Sequence, residues 1–457
     1  MFKKWPVFLL LLFSLHSYSQ TLTLKEAIEL CVSNYGTIKA KSKYLAAAKE
    51  TFKQVKADYL PNVTLSAQQD YGTVNGQNGP LYGFGGYGVS SSGLPLPKQN
   101  WNAAFGALYL INVNWEVFSF GRIRERVNLS KVESERYSRD LDQEIFQQKI
   151  KIAAAYLNLL VNQRLIVSQE KNLERAIVFH SIAATRVKNG LLAGVDSTLT
   201  YAEVSRAVIA LNQLKDRAKE ENNKLVALMG VGIENFVLDS SFVKRVPKAI
   251  LSNPVTLNPV LQYYKSRVDV GKQSLKLYKR EYYPTVNLIG IYQTRGSGFS
   301  ADYATNQHAF SQNYLDGINP SRQNYLFGVG LTWNLTSIAK TGKKVNAQQY
   351  TVSGLQDEYD VVDQQLKTQL DAAEAKVKFA LENYNEAPKQ VRAARQAYLQ
   401  KTTLYKNGLT NLVDVTQALY ALNRAEIDSD IIYTNVWQSL LMKAAAYGDF
   451  ALFINEF

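Results

Sequence analysis

The sequence has almost none of the residues on which disulfide-bonded, metal-binding or catalytic proteins depend. Its 457 residues include one cysteine and three histidines, so an internal disulfide is impossible and no Cys/His cluster has the spacing of a zinc site. Cys31, the single cysteine, is expected to pack on the apolar face of the first helix. No nucleophile–base pair or phosphate loop is recognisable. The composition therefore argues against an enzyme and predicts no cofactor and no metal.

Long apolar runs and clustered charge are missing as well. Past residue 20 no hydrophobic stretch is long enough to cross a bilayer as a helix. The formal net charge is +13, but the basic residues are spread along the chain rather than gathered in a stripe with interleaved aromatics. A nucleic-acid partner is therefore not expected.

The first residues have the pattern of an export signal. Lys3 and Lys4 precede an apolar stretch at 7–15, and small residues follow at 17–20. This order is typical of a cleaved secretory signal peptide. We predict a signal peptide over 1–19 and a mature chain outside the cytoplasm.

What the sequence does contain is a duplication. Residues of the first half recur in the second at a constant offset of 218: Trp115 as Trp333, Gly190 as Gly408, and Asp196 as Asp414. Self-similarity at a fixed spacing predicts a repeated structural unit. We expect a first repeat over 20–229, a connecting (equatorial) element over 230–258 and a second repeat over 259–457.

Each repeat contains two segments in which apolar and polar residues alternate. They lie at about 63–71 and 105–118, and again at about 285–295 and 325–335. Alternation over about ten residues is typical of a transmembrane β-strand with a lipid-facing and a lumen-facing side.

A soluble, half-buried sheet would show the same alternation. The export signal, the near-bilayer length of the strands and the long polar loops at 72–104 and 296–324 favour the membrane instead. Trp115 and Trp333 near strand ends also fit an aromatic girdle at the membrane interface.

Helices make up the rest of each repeat. A helical stretch precedes the strands (24–58 and 259–281), and a long helical hairpin follows them (about 121–229 and about 341–450). The first long helix has roughly 67 residues, about 100 Å at ~1.5 Å rise. Pro388 should kink the second long helix or divide it. Apolar residues recur every seven positions, as in a coiled coil: Ile145, Ile152, Leu159, Ile166 and Leu173.

Four strands cannot close a barrel, and an open sheet edge is not tolerated in lipid. We therefore expect oligomerisation, and three chains would supply twelve strands, within the range of outer-membrane barrels. The predicted fold is a trimeric twelve-stranded transmembrane β-barrel continued by a long α-helical coiled-coil barrel. Polar positions of both parts would line one aqueous conduit.

Several motifs in this order resemble the TolC-type outer-membrane efflux protein family, over essentially the whole mature chain. They are LTLKEAIELCVSN, the strand-start texts YLPNVTLSA and YYPTVNLIG, the Trp115–Arg126 segment, and two Asn-Gly-Leu turns each followed by an aspartate. The resemblance implies a homotrimeric channel in the bacterial outer membrane that extends into the periplasm. It also implies docking onto a periplasmic adaptor protein linked to an inner-membrane transporter.

The resemblance also implies a gate at the hairpin turns. Asp414 matches the family's acidic constriction, while Gln417 stands where many members have a second acidic residue. Arg186, Asp196 and Tyr405 match positions that hold the entrance closed. The basic residue expected after the second turn glycine is Thr410, so the latch differs. The adaptor-docking tips would be Asn189, Gly190, Leu191, Asn407, Gly408 and Leu409.

Other roles remain open for these residues. Three carboxylates around one axis would repel one another, attract cations and resist full ionisation, but an aspartate near a helix start can also cap the helix. Pore lining is preferred for Asp414, and capping for Asp196. The two turns could be mere connectors.

The function predicted from the sequence is that of a passive duct in a tripartite efflux pump. The same duct could serve a type I protein secretion system. A third interpretation is a non-conducting coiled-coil tether, in which the polar strand face would be packed rather than solvated.

Overall fold

The structure is a computed structural model that describes residues 21–76, 93–248 and 258–457. The predicted signal peptide lies outside the described residues. Parts of the first strand loop and of the connecting element lie outside them too.

The chain divides into two compact units, each drawn from both repeats. Among the described residues, the sheet unit comprises 48–76, 93–134 and 269–353. The helical unit comprises 21–47, 135–248, 258–268 and 354–457.

The sheet unit holds one antiparallel sheet with the strand order β1-β2-β3-β4. Each repeat contributes two strands, as predicted: β1 Asn62–Thr73, β2 Ala103–Phe118, β3 Thr285–Ser297 and β4 Arg322–Thr332. The fourth strand begins and ends about three residues before the predicted bounds. It ends early because the Asn334 carboxamide accepts a hydrogen bond from the Ser337 backbone (3.2 Å) and turns the chain into the next helix.

The register gathers the apolar side chains on one face. Residues directly opposite one another on paired strands point to the same side. One such row contains Leu65, Ile111, Tyr292 and Tyr325, all of them exposed. The neighbouring row on the other face contains Ser66, Leu110, Gln293 and Asn324. The sheet therefore has one face suited to lipid and one mixed, more polar face.

Two tryptophans fix the start of the strands in the same way in both repeats. The Trp115 indole N–H donates to the Tyr59 carbonyl (2.9 Å), and the Trp333 indole N–H donates to the Tyr282 carbonyl (3.1 Å). An indole with one apolar side and one hydrogen-bonded N–H suits a membrane interface. The predicted girdle position of these two residues agrees with this geometry.

The helices of the described residues follow the predicted order with sharper boundaries. They are α1 Leu24–Asn34, α2 Gly36–Lys56, α3 Arg122–Lys188, α4 Gly194–Met229, α5 Pro259–Arg280, α6 Tyr314–Ile318, α7 Ser337–Lys406, α8 Leu412–Tyr447 and α9 Ala451–Ile454. A single 3₁₀ turn, Ala57–Tyr59, leads into β1.

Two helical predictions need correction. The stretch over 24–58 is not one helix, because Tyr35 takes an extended backbone (ψ 122°) and packs against the core. Of the two outcomes expected at Pro388, division of the helix is wrong because α7 is continuous through this residue, and the kink stays a prediction. Proline removes one N–H donor from a helix interior, and the 69 other residues of this 70-residue helix outweigh that local loss.

The core of the helical unit is built mainly from α1, the middle of α3 and the end of α8. Cys31, Ile152, Leu157 and Trp437 are all fully buried there. The prediction that Cys31 lies on the buried face of α1 is confirmed, and burial raises the pKa of its thiol to about 11.

The same core explains a feature of α3. Among the described helices it alone has a stretch long and apolar enough to cross a membrane by length and composition, where the sequence analysis expected none. Its apolar residues Ile152, Tyr156 and Leu160 are buried in the core. Packing in this core accounts for these buried residues, although only 39% of the whole apolar stretch is buried.

We predict that Leu157→Ala destabilises the helical unit by about 2–5 kcal/mol, because the cavity it leaves cannot collapse fully. The measurement is the urea midpoint of the detergent-solubilised protein, followed by helical circular dichroism. Leu157→Met is the matched control and should cost less than ~1.5 kcal/mol. Equal midpoints for the two variants would contradict the assigned core.

Candidate functional site at the hairpin turns

The two hairpin turns have the same backbone geometry. Gly190 and Gly408 both lie in the left-handed region, with φ +71° and +76°, where a side chain is disfavoured. Each glycine follows a long helix and begins a Schellman motif, which satisfies the last helical carbonyls. The bonds are Gly190 N–H to Val187 and Leu191 N–H to Arg186, repeated as Gly408 N–H to Tyr405 and Leu409 N–H to Leu404.

All six predicted tip residues are exposed: Asn189, Gly190, Leu191, Asn407, Gly408 and Leu409. Leu191 and Leu409 are the large apolar side chains among them. Val195 and Val413, each the second residue of the following helix, are exposed too. Each turn therefore presents a small apolar surface at matching positions of the two repeats.

Arg186 joins one turn to the other. Its Nη1 donates to the Tyr405 backbone carbonyl (2.5 Å), and its guanidinium lies 5.2 Å from the centroid of the Tyr405 ring. That carbonyl belongs to the last turn of α7, where the helix dipole is negative. The negative end of the helix dipole stabilises the guanidinium of Arg186 at this position. The two residues Arg186 and Tyr405, which the sequence analysis named together, are therefore in direct and favourable contact.

A small core lies beneath this contact. It consists of Phe179, Tyr405, Leu412 and Val415, and the Phe179 and Tyr405 rings pack with centroids 5.5 Å apart. The Tyr405 side chain is 2% exposed. Its hydroxyl is buried and has no hydrogen-bond partner among the described residues. Tyr405 thus acts through its ring and its carbonyl.

Asp414 does not cap α8. Asn411 is the N-cap, and its side chain accepts from the Asp414 backbone N–H (2.9 Å). The Asp414 carboxylate instead accepts from Lys401 Nζ (2.7 Å) and from the Thr410 hydroxyl (2.8 Å). These two donors, Lys401 first, hold the pKa of Asp414 below its usual value.

Asp196 does not cap its helix either, which corrects the sequence-based preference. Ala193 is the N-cap of α4, without a side-chain bond, and Asp196 lies in the first turn. Its negative charge raises the pKa of Tyr405, after the larger effect of burial and against the opposing effect of Arg186. Gln417 is exposed on α8, and no hydrogen bond joins its side chain to another described residue. The structure therefore brings Arg186 and Tyr405 into direct contact, and leaves Gln417 apart.

The sequence analysis missed Lys401. It lies thirteen residues before Asp414, on the opposite arm of the hairpin, and no local motif marks it. A heptad register extended through α7 and α8 could have placed the two on facing positions.

Ion pairs that α8 makes with α3 and with α7 were missed as well. Glu426 accepts from Arg175 of α3 (2.7 Å) and from Arg395 of α7 (3.1 Å), and Asp430 accepts from Arg164 of α3 (2.6 Å). The pairs with Arg164 and Arg175 bind α8 to α3 across the two repeats, and the pair with Arg395 binds α8 to α7 within the second repeat. The described residues contain no cluster of three or more His, Cys, Asp or Glu side chains that could hold a metal.

We predict that Arg186→Gln loosens the paired turns whereas Tyr405→Phe does not. Losing a charged donor to a carbonyl costs about 1.5–3 kcal/mol, or roughly ten- to hundredfold in the opened population. The Tyr405 hydroxyl has no described partner, so its removal should change that population less than about twofold.

The measurement is the rate of trypsin cleavage after Lys188 and Lys406 in the purified protein. We expect cleavage to be faster in Arg186→Gln than in the native protein, and close to the native rate in Tyr405→Phe. Equal acceleration in Tyr405→Phe would show that the hydroxyl holds the turns closed.

Comparison with known proteins shows what this fold is similar to. The structure is similar to the outer membrane protein VceC from Vibrio cholerae (16% identity, 93% of this chain and 96% of that chain covered, TM-score 0.72). It is similar to the Campylobacter jejuni CmeC outer membrane channel (14%, 93% and 85%, TM-score 0.74). It is also similar to the open state of the Neisseria gonorrhoeae MtrE outer membrane channel (14%, 93% and 89%, TM-score 0.71). The comparison with curated proteins gave no match.

An open sheet with one lipid-suited face, joined to paired helical hairpins, defines the fold of an outer-membrane channel with a helical barrel. The sequence matches the outer membrane efflux protein family over residues 27–231 and 251–429. The chain belongs to this family, and the resemblance to TolC-type proteins is confirmed. It is an outer-membrane efflux channel protein that extends into the periplasm, from a family of channels rather than enzymes.

Proposed function

We propose that three copies of this chain form a passive duct that carries substrates from an inner-membrane pump across the periplasm and the outer membrane. The observation that carries the proposal is the open four-stranded sheet, whose apolar face is exposed and whose outer strands are β1 and β4. Three sheets would join edge to edge into twelve strands, and no edge would be left in lipid.

The duct is gated at the hairpin turns. In each chain the Arg186–Tyr405 contact ties the first turn to the second. Loosening this contact would let the two hairpins separate. The contact geometry supports a latch built on a helix-terminal carbonyl, and the negative charge of Asp196 adds to burial in raising the pKa of Tyr405.

Asp414 contributes the acidic constriction, with Lys401 as a built-in counter-ion. Three carboxylates around one axis would attract cations and resist ionisation. Lys401 and Thr410 oppose that resistance, because both stabilise the ionised form. The ring is therefore ionised but partly neutralised, and Gln417 adds no second charge.

The exposed turns dock onto a periplasmic adaptor. Leu191 and Leu409 supply matching apolar contacts at the two turns of each chain, so a trimer would offer six similar positions to a partner. The family's description as efflux proteins favours a drug or small-molecule pump over a protein secretion system as the source of substrate.

We predict opposite effects of two substitutions on ion selectivity in planar bilayers. Asp414→Asn should reduce the cation preference of single channels, because it removes the ring's charge. Lys401→Gln should increase that preference, because it removes the positive charge that pairs with the Asp414 carboxylate. Reversal potentials under a salt gradient measure both.

The outcomes separate the parts of the proposal. Discrete conductance with unchanged selectivity in both variants would leave a duct but refute the acidic ring. Absence of any conductance, even with Arg186→Gln to loosen the turns, would refute the duct and favour a tether.

We also predict the pH dependence of the selectivity. The pKa of Asp414 is lowered, so its charge persists as the pH falls and is lost only below the ordinary aspartate value of about 3.9. Any stabilisation from the Lys401 pair is present above that value and is lost as the pH falls through the lowered pKa. In Lys401→Gln the loss should begin at higher pH. A cation preference that already fades near neutral pH in the native channel would contradict this assignment.

A further inference from the structure

The segment between β3 and β4 folds back over one end of the sheet. After β3 the chain makes a short bridge between Phe299 and Phe310, and the Ser311 N–H donates to the Gly298 carbonyl (2.8 Å). The chain then leaves the plane of the sheet, forms α6, and returns to β4. The outermost part of the sheet unit is thus an ordered structure rather than an open loop.

The α6 segment crosses from β3 to β1 over β2, the strand between them. The Tyr314 ring packs edge-on against Phe105 of β2, with centroids 5.1 Å apart. The Tyr314 hydroxyl donates to the Gln69 side chain of β1 (2.7 Å), and the Tyr109 hydroxyl donates to the Ile318 carbonyl (3.4 Å). Three strands therefore hold this one segment.

Two glycines allow the close approach. A Cβ on Gly296 of β3 would lie 2.7 Å from the carbonyl oxygens of Gly317 and Asn319. A Cβ on Gly317 of α6 would lie 2.4 Å from the Phe105 side chain and carbonyl. The backbone of the segment packs directly against the backbone of the sheet here. We call this contact surface, formed by Gly296 and Phe105 of the sheet against Gly317 of α6, the seat of the segment.

The seat is on the apolar face. Gln69, Ala107 and Gly296 are opposite one another in the register, and they belong to the same side of the sheet as Ile111 and Val113. Ala107 is buried. Phe105, Ala107 and Tyr109 share the face that was expected to meet lipid along the whole 105–118 strand, but at this end the chain covers that face itself.

Strand length places this end at the membrane surface. β2 has 16 residues, whereas a tilted strand crosses the hydrocarbon in about 9–11. The covered part runs from Phe105 to Tyr109, and exposed apolar side chains begin at Ile111. The part of β2 that the α6 segment covers is thus the part of the strand that extends beyond the hydrocarbon layer.

We infer that the α6 segment forms a collar outside the barrel, where exposed Tyr314 and Leu315 contact the headgroup boundary of the outer leaflet. The inference rests on the proposed barrel, in which the apolar face is outward. Tyr314 and Leu315 are 45% and 65% exposed and continue the apolar band of the strands. Tyrosines whose ring meets apolar groups and whose hydroxyl is hydrogen-bonded are common at the headgroup level of a membrane. The pore mouth is left clear of this segment.

The test uses a fluorescent thiol probe at single positions of the full protein in phosphatidylcholine vesicles. The native chain is the blank, because Cys31 is buried and should not react. The probe is placed in Leu315→Cys, in Phe327→Cys on the apolar face and in Asn324→Cys on the opposite face. Two quenchers are compared: phosphatidylcholine with a nitroxide near the headgroup, and aqueous iodide.

We expect lipid quenching at position 315 of at least about half that at 327, and iodide quenching alone at 324. If position 315 behaves like position 324, the segment lies over the lumen and the collar is refuted. Loss of lipid quenching at 327 as well would instead refute the outward apolar face, and the collar with it.

A second variant tests the seat. Gly317→Val places side-chain atoms against Phe105 and should release the segment, which would reduce lipid quenching at 315 by about half or more while 327 is unchanged. Unchanged quenching at 315 in this variant would show that the described packing does not hold the segment. If the variant does not assemble, the measurement at 315 with Gly317 intact still decides the proposal.

Discussion

The whole structure depends on the two free edges of its sheet. β1 and β4 are the outer strands of a four-stranded antiparallel sheet, and their outward N–H and C=O groups have no water to bond in a hydrocarbon layer. An apolar face that suits lipid would place these edges in lipid too. The face and the edges together require partner strands, and a second and third copy of the chain are the simplest source.

The helical turns show how one chain uses its duplication asymmetrically. The Schellman motifs at Gly190 and Gly408 are alike, but only the second repeat has an asparagine N-cap and a paired aspartate. The first repeat contributes Arg186, and the second contributes the carbonyl that receives it. The Arg186–Tyr405 contact is therefore made between the repeats, although the two turns have the same backbone geometry. Different side chains at matching positions thus give the two hairpins different parts in one contact, Arg186 as the donor and the Tyr405 carbonyl as the acceptor.

Much of the fold could be predicted from the sequence because the signals were periodic and repeated. Strand alternation, glycine turns and long proline-poor stretches each occurred twice, and each is a local property of the chain. The end of α1 at Tyr35 was missed because it goes with the packing of this side chain against the core, which no local pattern in the sequence indicates. The covered end of the apolar face was missed for a similar reason, since alternation cannot tell lipid from a segment of the same chain. At the candidate site, Arg186 and Tyr405 were found by family resemblance, whereas Lys401 depends on the facing register of two helices.

The number of chains in the conducting particle is the most direct test of this account. We would measure the native mass of the protein reconstituted in lipid nanodiscs and confirm conductance of the same preparation. A mass of three chains is predicted, because three four-stranded sheets close one barrel of twelve strands. A conducting particle of one chain would contradict the account, because the edges of β1 and β4 would then have to be satisfied without partner strands.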